Sequence, residues 1–180
     1  MRNTKLKNIL LIPLFSAIIA ISAQLQIPFA LPFTLQLLAI FMALILLGGI
    51  GGAVSVLLYI SLGLIGLPVF SGFASGFGYL FSAAGGYIIG FIPLTVTYTV
   101  MSLVFGKRGK RTVVYALISL IPLYLTAILW LTFVYTDATQ GSLLAAISLY
   151  VLPFVLPDVI KCIFASIIAE RIEKAIRNGE

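Results

Sequence analysis

The chain has 180 residues, of which 62% are hydrophobic and only 9% charged, with a mean hydropathy of +1.21. A soluble domain is nearer a quarter charged and has too little interior to hide that much apolar surface, so the chain belongs in a lipid bilayer and is too short for a large multidomain machine. Histidine is absent and Cys162 is the one cysteine, which excludes a disulfide framework, a Cys/His zinc site and His-based acid–base catalysis.

Residues 8–106 contain no Asp, Glu, Lys or Arg. The net charge of +6 comes from three basic clusters, Arg2/Lys5/Lys7, Lys107/Arg108/Lys110/Arg111 and Arg171/Lys174/Arg177, with Lys161 alone between them. These clusters flank apolar spans and lack interleaved aromatics, so they read as membrane topology and not as a nucleic-acid face. Both termini and the 107–111 loop on the cytoplasmic side require an even number of spans, and the length has room for about six of ~20 residues. The N-terminal Lys/Arg followed by an apolar run resembles a signal peptide, but the run is too long and no small-residue cleavage site follows closely. It reads as a retained first span.

In chain order, span one covers 8–27 and ends before Pro28 and Pro32. A short span two covers 34–47, and the glycines at 48, 49, 51 and 52 read as a tight inner turn. Span three covers 53–65. The segment 66–84, rich in Gly, Ser and Phe, reads as an outer loop lying on or folding into the membrane surface. Span four covers 85–105 and span five 112–135, each with an internal proline, Pro93 and Pro122. A polar outer loop holds Asp137, Thr139, Gln140 and Gly141. Span six covers 143–170 and is interrupted at Pro153 and Pro157, and unwound backbone in a bilayer must line a cavity or be covered by protein. No internal repeat and no boundary for a second domain is visible, so residues 1–180 read as one all-α membrane-embedded domain. Small residues recur at helix-packing spacing, as in Gly48/Gly52, Gly72/Gly76, Gly86/Gly90 and Ser16/Ala20.

Asp158 and Lys161 are the ionisable acid–base pair inside the spans. On a regular helix Lys161 lies ~15 Å and Asp158 ~20 Å from the interfacial Arg171, against a hydrocarbon core of ~30 Å. Each charge at that depth costs roughly 2.5–3.5 kcal/mol on insertion scales, and a spacing of three puts both on one helical face. Pro157 just before Asp158 suits the first turn of a helix, where the dipole favours a carboxylate. A self-neutralising bridge explains how the chain tolerates the pair; ligand contact explains why it has one, since an apolar residue is cheaper there. Gln24, Gln26, Thr34, Gln36, Tyr59, Tyr79, Tyr87 and Tyr98 are polar candidates to complete a pocket. Trp130 reads as a belt residue or a ligand platform, and the Phe70, Phe73, Phe77, Phe81 series as lipid contact or a greasy lid. No phosphate-binding G-x-x-x-x-G-K-[ST] loop is present, so the chain has no ATP site of its own, and uphill transport must draw energy from a partner or an ion. An intramembrane enzyme is disfavoured by the absence of His, of a nucleophile beside a base and of a metal set.

Four ordered strings bear a family resemblance: PFALPFTLQ at 28–36, YISLGLIGLPVF at 59–70, GGYIIGF at 85–91 and PDVIK at 157–161. Over nearly its whole length the chain resembles the biotin-specific substrate-binding subunits (S components) of energy-coupling factor transporters, the BioY family. The resemblance implies a six-helix bundle in the prokaryotic cytoplasmic membrane that binds biotin from outside, has no cofactor and is not an enzyme. Asp158 would then accept the ureido N–H groups, and Lys161 would serve the carbonyl or the carboxylate. With them, the expected substrate-binding set is Thr34, Gln36, Tyr59, Phe70 and Tyr87. The resemblance further implies a membrane coupling subunit, docked through the small pair Ser16 and Ala20, and two ATPases. Where the family has Gly-Pro-Thr before Gly-Gly-Tyr, this chain has Ser82-Ala83-Ala84. The alternatives are an S component for another vitamin or small carboxylate, and a structural or assembly subunit.

Overall fold

The computed structural model describes the backbone of residues 2–27, 33–106, 111–135 and 142–178, and the side chains of these except 2–9 and 176–178. The prolines 28 and 32, most of the 107–111 basic turn and the 137–141 loop lie outside the described residues. Helix α1 spans Arg2–Gln24 and leads into a two-residue ladder, β1 (Gln26–Ile27) against β2 (Phe33–Thr34). Then come α2 (Gln36–Leu46), α3 (Gly48–Leu64), two short 3-10 turns at Ser71–Phe73 and Phe77–Phe81, α4 (Gly85–Phe105), α5 (Arg111–Phe133), α6 (Leu143–Tyr150) and α7 (Leu152–Asn178).

The described residues thus form seven helices where six were expected. The extra one arises because the sixth span is two helices, with the break at Val151 and not at the prolines. Pro153 sits in the first turn of α7, where its missing N–H leaves no gap, and Pro157 is carried inside the helix. Asp158 therefore lies about one turn deeper in α7 than the first-turn reading supposed, and the helix terminus is not what holds its charge.

The helices also differ in reach. Gly85–Phe105, Arg111–Phe133 and Leu152–Ala175 are long and apolar enough to cross a membrane, whereas Leu10–Gln24, Gln36–Leu46 and Gly48–Leu64 are shorter apolar helices. Helix α2 is short because it is interior: Leu37, Ala39, Ile40, Phe41, Ala43, Leu44 and Ile45 are all buried, and α1, α3, α4 and α7 pack around it. A helix apolar on every side belongs in a core.

The glycines at 49, 51 and 52 are not a turn. The reversal is confined to Leu47 and Gly48, and the other three lie in the first turns of α3. They bring backbones together, since a Cβ at Gly52 would press on the Leu44 backbone and one at Gly49 on Thr99. In lipid, where apolar burial does not favour one helix over another, such close approach is the main source of association.

The loop 66–84 lies as a strap across one end of the bundle. Phe70 anchors it: the ring is fully buried in a notch left by Gly63, edge-on to Tyr59 and stacked on Tyr79 at 5.1 Å. Gln24, at the end of α1, clamps the strap from the other side. Its Nε2 donates to the carbonyls of Phe70 (2.9 Å) and Val69 (3.2 Å), and its Oε1 accepts from the Phe73 N–H at 3.0 Å. Phe73 holds a positive φ of 59°, rare for a residue with a side chain, and that bond fixes its amide.

Candidate functional site

The site is built where α7 passes α2, α4 and the strap. Asp158, 4% exposed, sits on the inner face of α7 with Lys161 one turn later. Lys161 Nζ donates to Asp158 Oδ1 at 2.8 Å, and the Tyr124 hydroxyl on α5 donates to Oδ2 at 2.7 Å. Both carboxylate oxygens are therefore engaged, and the two charges cancel within hydrogen-bond distance.

A cleft opens above this pair. It holds about 550 Å³ of empty space, open solvent at its mouth included. Asp158, Lys161 and Phe154 line it from α7, Thr34, Gln36 and Leu37 from the β2–α2 corner, and Tyr87, Ile88 and Phe91 from α4. Ser71, Tyr79, Ala84 and Leu123 complete the wall. Burial raises the Tyr79 phenol above its ordinary pKa, so it stays protonated through the neutral range. Gln36 is 5% exposed, and its side chain also faces the Tyr59 hydroxyl behind the cleft, where neither group makes a well-formed hydrogen bond. A second, more open cleft shares Thr34 and Lys161 with the first and continues past Gln24, Gln26 and Pro157.

Of the expected set, the structure brings Asp158, Lys161, Tyr87, Gln36 and Thr34 together around one cleft. It does not bring Tyr59 and Phe70 there. Both are fully buried behind it, where Phe70 props up Tyr79, a wall residue. The Tyr87 hydroxyl donates to the Tyr150 carbonyl, the acceptor left without a helical partner by the α6–α7 break. Gln24 and Gln26 serve the strap, Gln26 by accepting from Ser71. Trp130 packs on Phe81 and against Gly86, away from the wall. The phenylalanine series divides: Phe70 is an anchor, while Phe73, Phe77 and Phe81 are exposed. Tyr98 lies deep in the core beside Phe41 and Tyr115. Ser16 is 1% exposed and Ala20 half-buried, so this small pair faces the chain's own core, and the exposed small residue on that turn is Ala17.

Sequence reasoning missed Tyr124, Phe154, Leu123 and Ser71. Tyr124 is one of several hydroxyl-bearing residues in α5, and only the pairing of α5 with α7 singles it out. Among the described residues no cluster of His, Cys, Asp and Glu offers a metal three ligands.

The BioY family profile matches residues 1–178. The chain belongs to the BioY family. A probable biotin transporter BioY of Pyrococcus horikoshii is 36% identical over 170 residues, covering 94% of this chain and 98% of that one. A biotin transporter BioY of Thermotoga maritima is 34% identical over 166 residues, covering 89% and 92%. In three dimensions the chain is similar to the S-component for biotin from an ECF-type ABC transporter, with a TM-score of 0.83 at 27% identity over 97% of this chain and 94% of that one. The BioY fold explains why a helix as short as α2 is central: α2 and the β2–α2 corner deliver Gln36 and Thr34 to the carboxylate–ammonium pair on α7.

Proposed function

We propose that this BioY-family chain is the biotin-binding subunit of a vitamin-uptake transporter. The observation that carries the reading is the Asp158–Lys161 pair, 2.8 Å apart on the wall of a cleft otherwise lined by apolar side chains and uncharged hydroxyl and amide groups. Biotin's ureido ring presents an N–H beside a carbonyl. An acceptor beside a donor is the complement of that edge: Asp158 accepts the N–H and Lys161 gives one of its remaining N–H groups to the carbonyl. Phe91, Ile88, Leu123 and Phe154 offer apolar surface to the thiolane ring. Gln36 Nε2 is a further donor for the ligand's oxygens. The carboxylate end points towards the open cleft past Thr34, where water keeps it solvated.

In this reading the chain crosses the cytoplasmic membrane as six segments, α6 and α7 together making the sixth, with both termini and the 107–111 turn on the cytoplasmic side. The chain has no phosphate-binding loop, so a membrane coupling subunit and two ATPases supply the energy that reorients it. The coupling subunit meets the small-residue turn of α1 through Ala17, since Ser16 and Ala20 are turned towards the core.

Calorimetry of the purified protein in detergent, with biotin as ligand and thiamine as control, tests the reading. Saturable binding of biotin alone, in the nanomolar range, is the expected result. A folded protein that binds thiamine, or neither vitamin, sinks it.

A further inference from the structure

Tyr124 stands behind the cleft and does not line it, yet its hydroxyl reaches Asp158 Oδ2 at 2.7 Å. A carboxylate offers about four acceptor sites, two on each oxygen. Lys161 occupies one on Oδ1 and Tyr124 one on Oδ2, which leaves one on each oxygen before any ligand arrives. The last torsion of an aspartate is broad and roughly two-fold, so a carboxylate held at one oxygen swings about that bond. Held at both, its plane is set. Tyr124 is itself fixed, because its ring meets Tyr87 edge to face at 6.3 Å and the Tyr87 hydroxyl is tied to the Tyr150 carbonyl.

We propose that Tyr124 is a positioning residue: its bond to Oδ2 holds the Asp158 carboxylate in the one plane where acceptor and Lys161 donor stand side by side, and so sets the preference for a ligand edge with N–H next to an acceptor. The inference rests on the biotin reading of the cleft, and it says which residue turns a buried ion pair into a selective recognition edge. A tyrosine that only filled space would give the same packing without affecting which ligand edge is chosen.

The test is Tyr124→Phe in full-length protein, with biotin and 2-iminobiotin as probes. In 2-iminobiotin a C=N–H group replaces the ureido carbonyl, and the protonated ring at neutral pH carries donors only. The wild type binds biotin much more tightly than 2-iminobiotin. Y124F keeps the ring and its contact with Tyr87, and it weakens biotin about tenfold, because the ligand must then orient a carboxylate that is free to turn. 2-Iminobiotin, which never uses the side-by-side edge, is weakened less, so the preference ratio falls. Equal weakening of both ligands, unchanged binding of both, or a Y124F chain that does not fold would each overturn the proposal and make Tyr124 a packing residue. A wild type that binds neither ligand removes the biotin reading itself, a failure distinct from any result with Y124F.

Discussion

Both oxygens of a carboxylate only 4% exposed are paired among apolar helices, one with the Lys161 ammonium at 2.8 Å and the other with the Tyr124 hydroxyl at 2.7 Å. Removing one partner of a buried pair costs about 3–5 kcal/mol, because the other is left uncompensated, whereas replacing both with apolar residues is often neutral or stabilising. Lys161→Met is therefore expected to lower the melting temperature sharply and to abolish biotin binding. The double change Asp158→Leu with Lys161→Met should restore most of the melting temperature and none of the binding. Thermal melts read by intrinsic fluorescence, paired with calorimetry, check both halves. A double variant that binds biotin like the parent would reduce the pair to a structural bridge.

At the level of elements, two contacts hold the site's frame. The break between α6 and α7 leaves the Tyr150 carbonyl without its helical donor, since the Phe154 N–H turns to the Val151 carbonyl at 2.9 Å. The Tyr87 hydroxyl fills the gap. Tyr87→Phe leaves that carbonyl unpaired in a buried setting, and a loss of about 1–3 kcal/mol in stability is expected from chemical or thermal unfolding. The other contact is the Phe70 anchor. Any Cβ at residue 63 occupies the place of the Phe70 ring, so Gly63→Ala unseats the strap that carries Ser71 and Tyr79 over the cleft. Stopped-flow displacement should show biotin leaving this variant at least several-fold faster than the parent. An unchanged release rate would mean that the strap does not control exit.

Seen as a whole, the molecule is strongly basic, but its cleft is not. Among the described residues lining it, the charges are Asp158 and Lys161, and they cancel. In the proposed binding mode a ligand carboxylate thus gains little net attraction from the cleft, and a place near the open mouth would leave it hydrated. Biotin and its neutral amide are expected to bind within about tenfold of each other, in contrast to changes at the ureido ring. Parallel titrations of the two decide it, and a hundredfold preference for the acid would show that Lys161 is free to leave Asp158 for the ligand.

Much of this architecture is legible in the chain itself. The charge-free stretch 8–106, the basic clusters and the apolar runs specify a helical membrane protein, and span four falls on α4 residue for residue. Span boundaries are readable because the cost of placing charge or unpaired backbone in lipid is large and local. Asp158 and Lys161 stand out for the same reason, and their pairing follows from helical spacing. What the chain could not show depends on contacts between segments distant in sequence. The glycines at 49, 51 and 52 look like a turn until α2 and α4 are packed against them. Ser16 looks like an outward docking residue until α1 is set against its neighbours. Phe70 and Tyr59 look like wall residues until the Gly63 notch swallows the ring, and Tyr124 is an ordinary tyrosine until α5 meets α7. The bilayer acts on each segment separately and so leaves its mark in the sequence, whereas which face of a uniformly apolar helix meets which neighbour is decided by shape and hydrogen bonding among helices, and only the tertiary structure holds that.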